Sequence, residues 1–222
     1  MAQGVIISVL ARAYETTRDE RYLELARKTM ICFDRDVQDG GVRCEAKRGV
    51  FYEEYAFVET NKQHHTLNGM LAALFGLYDL HKVCGDETAR RLFDEGTATI
   101  RANLPAFDLQ FITSYDLRHE YGEPPLLVSR YHQMHVGQLT ILAGMTGDQY
   151  FQGVADVWDR KLMDPINRLR LTMWYGGHLW RELRKKIDEE DLTGLTSAFA
   201  QRVMSRLSDL TKSNPHDHLP WT

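Results

Sequence analysis

Three tight turns constrain this chain more than any other feature. Asp19, Gly85-Asp86-Glu87 and Gly147-Asp148-Gln149 each separate two stretches of apolar residues at helical spacing, and they recur at about 60–70 residues. Val5, Ile6, Val9, Leu10 and Ala13 precede the first turn, and Tyr22, Leu25, Ala26, Met30 and Phe33 follow it. The second pair carries Leu67, Met70, Leu71, Leu74, Phe75 and Tyr78, then Leu92, Phe93, Gly96 and Ile100, stopping near Pro105. The third carries Val136, Leu139, Leu142 and Met145, then Phe151, Val154, Ala155, Trp158 and Leu162. Connections this short make the paired helices antiparallel. Thr17-Arg18-Asp19-Glu20 has the form of a capping box, Thr17 serving the free amides and Glu20 reaching back.

Long excursions separate the pairs. Residues about 42–56, after the breaker Asp39-Gly40-Gly41, read as two short strands or an ordered loop, and a second excursion spans about 108–134. Helical hairpins with excursions at one end predict an all-α dominated fold. It is an α/α toroid, here an incomplete α/α barrel, whose short β-hairpin excursions form the mouth of a site. A flat helical solenoid is the competing architecture. The sequence is helical from Met1 onward, so residues 1–165 are expected to be an N-terminally truncated catalytic domain. Residues 166–222 read as a helical extension. Arg168 to Ile187 is basic and bears Trp174 and Trp180, with a bend expected at Gly176-Gly177. A helix around Phe199, Val203, Leu207 and Leu210 follows, then a frayed end from Ser213 in which His216 and His218 are solvated.

Composition removes several function classes. The 222 residues are 43% hydrophobic and 26% charged, as in soluble globular proteins. A net charge of −4 gives no basic face for nucleic acid. Cys32, Cys44 and Cys84 are odd in number and far apart, which suits reduced thiols rather than a disulfide framework or a thiolate metal site. No apolar run reaches the roughly 20 residues of a membrane helix, and no signal peptide precedes the first helix. If the chain is complete, it is expected in the cytoplasm. A homodimer is left open, and no nucleotide motif appears, so no cofactor is expected.

Three segments in the excursions are dense in chemistry-bearing side chains. Phe51-Tyr52-Glu53-Glu54-Tyr55 reads either as a strand with alternating faces or as a Glu–Tyr pair offering proton-transfer groups. Ser114-Tyr115-Asp116-Leu117-Arg118-His119 joins a phenol to a guanidinium suited to an anion, with a structural Asp116–Arg118 ion pair as the alternative. Arg130-Tyr131-His132-Gln133-Met134-His135 puts two histidines on one helical face. Without an HExxH glutamate or a third ligand, they read as hydrogen-bonding residues rather than zinc ligands. His64-His65 precedes an apolar helix and suits capping or a supporting role.

The chain resembles a known family in seven places, in order. These are Met1-Ala2-Gln3-Gly4, Tyr52-Glu53-Glu54-Tyr55, Leu67-Asn68-Gly69, Gly76-Leu77-Tyr78-Asp79-Leu80, Leu104-Pro105, Tyr115-Asp116-Leu117-Arg118-His119, and Tyr131-His132 with His135 and Gln138-Leu139. Together they are similar to the D-glucuronyl C5-epimerase C-terminal domain over residues about 1–165. The resemblance implies an α/α barrel that converts D-glucuronate to L-iduronate in a heparosan-like polysaccharide. It also implies that Glu54, Tyr55, Tyr115 and Tyr131 form the catalytic cluster. Arg118, His119, His132, His135, Asn68 and Tyr52 are then expected to bind substrate, with no metal. The surround departs from the family: Ala56 stands in place of Pro, Val128-Ser129-Arg130 in place of Arg-Trp-Asp, and Gln133 and Met134 in place of two threonines. A uronate polysaccharide lyase on the same toroid is the alternative enzyme, and a non-catalytic fragment or helical interaction module the alternative of another class.

Overall fold

The computed structural model describes residues 1–58 and 63–188, with side chains as far as Arg181. The three helix pairs are α1 (Ala2–Thr17) with α2 (Glu20–Met30), α3 (Leu67–Cys84) with α4 (Glu87–Phe107), and α5 (Ser129–Thr146) with α6 (Gln149–Lys161). Each first helix ends at a left-handed residue, Arg18, Gly85 or Gly147. Each second helix starts at an aspartate that accepts an amide of the first turn: Asp19 from Arg21, Asp86 from Ala89, and Asp148 from Tyr150, all at 3.0 Å. The capping box over Thr17 does not form. Thr17 donates its hydroxyl to Ala13 O at 2.7 Å, still inside α1, and Glu20 accepts from the Tyr14 hydroxyl at 3.2 Å. Because α1 runs to Thr17 and turns at Arg18, Asp19 is the extended residue at the mouth of α2.

In the first unit, Met1–Asp164, α3 packs between α1 and α5, and α2, α4 and α6 each pack on their own partner. This order of an inner and an outer row is that of an α/α toroid. Lying centrally, α3 is buried almost all round, with Leu67, Met70, Leu71, Leu74, Leu77 and Leu80 fully enclosed. The face that α1 turns inward differs from the sequence expectation. Gly4, Ile7 and Ala11 are buried, while Val5, Ile6 and Val9 are exposed. The reason is close approach: a Cβ on Gly4 would stand 2.3 Å from Ala72 O, and one on Gly76 2.2 Å from Gly4 O. Small residues, rather than large apolar ones, set that contact. On α2, Leu23 takes the buried position expected of Leu25, which is exposed.

The first excursion holds a two-stranded antiparallel hairpin, β1 (Arg43–Ala46) and β2 (Gly49–Tyr52), with Arg43 opposite Tyr52 and Ala46 opposite Gly49. β2 lays Val50, Phe51 and Tyr52 into the core against α3 and α4. α4 continues past Pro105 to Phe107 rather than stopping there, and α5 opens at Ser129, so Tyr131 and His132 stand in its first turn and His135 follows in its second. Cys32, Cys44 and Cys84 are unpaired and partly buried.

Pro165 opens a second unit with α7 (Pro165–Asp188), at the helical position where a missing N–H costs nothing. α7 is continuous through Gly176-Gly177, where the sequence predicts a bend, and the Trp174 ring stacks on His178 one turn later at 5.4 Å. The helix expected around Phe199, Val203, Leu207 and Leu210, and the end from Ser213 with His216 and His218, lie outside the described residues. Among the described residues, no helix is long and apolar enough to cross a membrane.

Candidate active site

With the tight turns all at one end of the pairs, the two long connections emerge together at the other. There they are tied by both backbone and side chains. Leu117 N–H donates to His64 O at 3.0 Å, and Leu67 N–H to Tyr115 O at 3.3 Å. At the hairpin tip, Arg48 grips the Glu120 carboxylate at 2.6 and 2.9 Å, and Lys47 donates to Glu120 O at 2.7 Å. A bidentate guanidinium fixes orientation as well as distance, so the 118–121 turn is held against the hairpin.

Glu54 is half-buried just beyond β2. Its Oε2 accepts from the Thr66 hydroxyl at 3.2 Å and the Tyr115 hydroxyl at 3.3 Å. Thr66 is the N-cap residue of α3, yet its side chain caps no amide, because the hydroxyl is turned to Glu54. The carboxylate thus sits by the positive end of α3. It fits there only because Gly69 has no side chain: a Cβ at that position would lie 2.8 Å from Glu54 Oε2 and 2.6 Å from Thr66 Oγ1. The Tyr115 ring meets Tyr131 at 4.4 Å. Burial, the Glu54 charge and a hydrogen bond with Tyr55 push the Tyr115 phenol well above its ordinary pKa, so it keeps its proton at neutral pH. Tyr55 is 45% exposed and stands at the rim, its ring near Phe57 and His64. Glu54, Tyr55, Tyr115 and Tyr131 therefore come from three distant segments into one cluster.

Arg118 lies beside it, bound by two nitrogens to the fully buried Asp116, Nε at 2.9 Å and Nη2 at 2.7 Å. This is the ion pair offered as the structural alternative, and it fixes the orientation of the guanidinium. Nη1 faces outward, with Glu123 at 3.9 Å. Asn68 is buried next to Gly69, its amide nitrogen 3.9 Å from Met1 Sδ and its Oδ1 without a hydrogen bond.

The remaining expected substrate-binding residues are engaged elsewhere. Tyr52 is buried in the core, donates to Leu92 O at 2.8 Å and packs on Phe33, because β2 directs it inward. His119 is bonded through Nε2 to Ala106 O at 3.1 Å, at the end of α4. His132 Nδ1 accepts the Thr113 amide at 3.2 Å, so Nε2 carries the hydrogen and donates to Trp158 O at 2.9 Å. His135 is fully enclosed, its Nδ1 3.0 Å from the Thr113 hydroxyl. Burial lowers the pKa of His132 to about 4 and of His135 to about 3, with backbone acceptance by Trp158 opposing the shift at His132 and the His132 charge adding to it at His135. Both are neutral packing histidines that join the second excursion to α5 and α6. Among the described residues, no cluster of three His, Cys, Asp or Glu side chains is placed to hold a metal.

Several contributors escape a reading for dense polar segments. Glu53 is 2% exposed and gives one oxygen to the His65 amide at 3.1 Å and the other to His65 Nδ1. His65 Nε2 meets the Tyr121 hydroxyl at 3.1 Å. Thr66 and Gly69 act on Glu54 directly. The one sequence signal for Thr66 is its place immediately before an apolar helix, and that signal points to capping, which is not what it does.

Fold and site together define a domain of helical hairpins with a cluster of one carboxylate and three phenols at the end opposite the tight turns. The chain belongs to the family described as D-glucuronyl C5-epimerase C-terminus, whose model matches residues 1–160. It is 39% identical over 172 residues to a D-glucuronyl C5-epimerase of Caenorhabditis elegans, covering 71% of this chain and 27% of that protein. It is 28% identical over 163 residues to an uncharacterised protein of Methanocaldococcus jannaschii, covering 71% of this chain and 50% of the other. The chain thus spans half or less of the length of these curated relatives.

Proposed function

We propose that this domain inverts C5 of D-glucuronate in a heparosan-like polysaccharide, giving L-iduronate without a cofactor. The observation that carries the reading is the contact chain Glu54–Tyr115–Tyr131, assembled from segments 61 and 16 positions apart. The C5 hydrogen lies α to a carboxylate, so its removal builds an enediolate-like intermediate. Inversion needs one group to take the proton and another to return it from the opposite face. Glu54 is the base: two hydroxyls hold Oε2, while Oε1 makes no hydrogen bond among the described residues. Tyr131 is the opposed acid. Tyr115 keeps its proton, so it serves as a donor and relay between them, and Tyr55 closes the rim. Arg118, oriented by Asp116, offers the outward Nη1 edge to the substrate carboxylate as charge develops.

The test is loss of label from a C5-deuterated glucuronate oligosaccharide in water. Wild-type chain is expected to exchange the label and to accumulate iduronate, and Tyr131→Phe to lose the exchange. Full activity in Tyr131→Phe removes that residue from the mechanism. Ultraviolet absorbance from an unsaturated uronate in place of epimer would mark a lyase instead.

A further inference from the structure

Two adjacent side-chain pairs join the end of β2 to the start of α3, and the reaction proposed above uses only one of them. Glu54 meets Thr66, and one residue earlier on each strand of the chain Glu53 meets His65. We infer that His65, clamped by Glu53, is the positioning residue that sets Glu54 over the first turn of α3. The inference rests on the reading of Glu54 as a proton-transfer group.

The backbone shows why a histidine stands there. His65 has φ +53°, in the left-handed region that a residue with a Cβ rarely enters and only at a cost. One carboxylate offsets it, because Glu53 accepts both the backbone amide and the ring Nδ1–H of this residue. The ring then has no freedom: it packs on Phe51 at 4.8 Å, and Nε2 accepts the Tyr121 hydroxyl. Tyr121 is held in turn, since the Lys47 ammonium stands 4.9 Å from its ring and Arg48 and Lys47 grip its neighbour Glu120.

The consequence of the left-handed turn falls on the next residue. It brings the chain into α3 with Thr66 extended, φ −74° and ψ 131°, and its hydroxyl on Glu54 rather than on a helix amide. A relaxed backbone at His65 would redirect Thr66 and the α3 amino end together. Glu54 would then lose both its hydroxyl partner and its seat over Gly69. The hairpin tip, Tyr121, His65 and Glu53 thus form a brace whose output is the placement of one carboxylate.

The test uses the full chain with three substitutions. His65→Gly allows φ +53° but removes the ring. His65→Asn tolerates the same φ and restores a donor toward Glu53. Glu53→Gln keeps the shape and loses one acceptor. In His65→Gly and Glu53→Gln, kcat for C5 exchange should fall about 100-fold, the loss expected of a misplacement near 1 Å, with KM within about twofold. His65→Asn should recover part of the rate. The second readout needs no activity. With tyrosine labelled at Cζ, Tyr115 is expected to resist ionisation through the alkaline range in wild type. In His65→Gly the onset of its ionisation should move to lower pH, as in Glu54→Gln, because the Glu54 charge, which adds to the larger effect of burial, has gone. Folded His65→Gly and Glu53→Gln proteins with wild-type Tyr115 titration would overturn the inference. If His65→Gly does not fold, Glu53→Gln decides. If wild-type chain exchanges no label, the epimerase reading fails while the titration still decides the placement of Glu54.

Discussion

Two regions of the first unit are both dense in hydrogen-bonding side chains, and they differ in where their bonds end. The Thr113–His132–His135 network lies on the second excursion and the first turns of α5, and the Glu54–Tyr115–Tyr131 cluster uses the same two elements together with Glu54 from the first excursion. In the second network each bond ends inside the protein: His132 joins the Thr113 amide to the Trp158 carbonyl, while Trp158 Nε1 and Lys161 both donate to Asp108. In the first, the bonds converge on one oxygen of the half-buried Glu54, beside the exposed Tyr55 ring. A closed polar network stabilises and specifies a fold; an open one is available to a ligand. Density of polar residues does not distinguish them, whereas the end point of each bond does.

If this contrast is right, substitutions should separate cleanly into rate and stability. Glu54→Gln keeps an acceptor for Thr66 and Tyr115 but removes the base. C5 exchange is expected to fall by about 10³-fold, within the range for general-base removal, with Tm nearly unchanged by calorimetry. A large loss of stability would place Glu54 with the closed network. His132→Ala should do the reverse. It leaves the Thr113 amide and the Trp158 carbonyl buried without partners and opens a cavity, costing about 2–4 kcal/mol in a urea titration. The folded protein should keep its exchange rate to within a few-fold.

Acid should act on the closed network first. His132 and His135 titrate near 4 and 3 when folded, below the ordinary histidine value of 6.5. The unfolded chain therefore binds protons that the folded chain refuses. Stability is full above pH 6.5 and falls as the pH drops from there toward 4 for His132 and 3 for His135, by on the order of 3 kcal/mol for the first and 5 kcal/mol for the second. Denaturant midpoints across this window check it. In His132→Ala the slope should be shallower, because one of the two refused protons is gone. An unchanged slope would mean that carboxylates carry the acid response.

Much of the fold was legible because it rests on periodicity and turn chemistry. Asp19, Asp86 and Asp148 mark helix starts by local amide satisfaction, which needs no knowledge of the rest of the chain. The inward face of α1 was not legible in the same way. Val5, Ile6 and Val9 have the larger apolar areas, but the packing there is governed by how near two backbones can come, and only Gly4 and Gly76 permit it. The site divides likewise. The four residues grouped by family resemblance are the four that the structure gathers, while His119, His132 and His135 look equally functional in sequence and are spent on carbonyls and a threonine. Glu53 and Glu54 are neighbours of one type with separate tasks, and only their partners, 12 residues away, tell them apart.

The smallest effect concerns the residue with no side chain to delete. In Gly69→Ala, the added methyl meets Glu54 Oε2 at 2.8 Å, Glu54 Cβ at 2.9 Å and Thr66 Oγ1 at 2.6 Å, all below a tolerable contact. The far end of Glu54 can swing and its Cβ needs only a shift of a few tenths of an ångström, so the protein should remain folded, and the higher helix propensity of alanine offsets part of the strain, by about 1 kcal/mol. Swinging out breaks the bonds to Thr66 and Tyr115. A tenfold or so fall in kcat with little change in Tm is expected, the tenfold corresponding to about 1.4 kcal/mol. Deuterium exchange at C5 and a melting curve on one preparation measure both. Should Gly69→Ala lose stability and keep its rate, the first turn of α3 would belong with the closed network, and the open cluster would end at Tyr115.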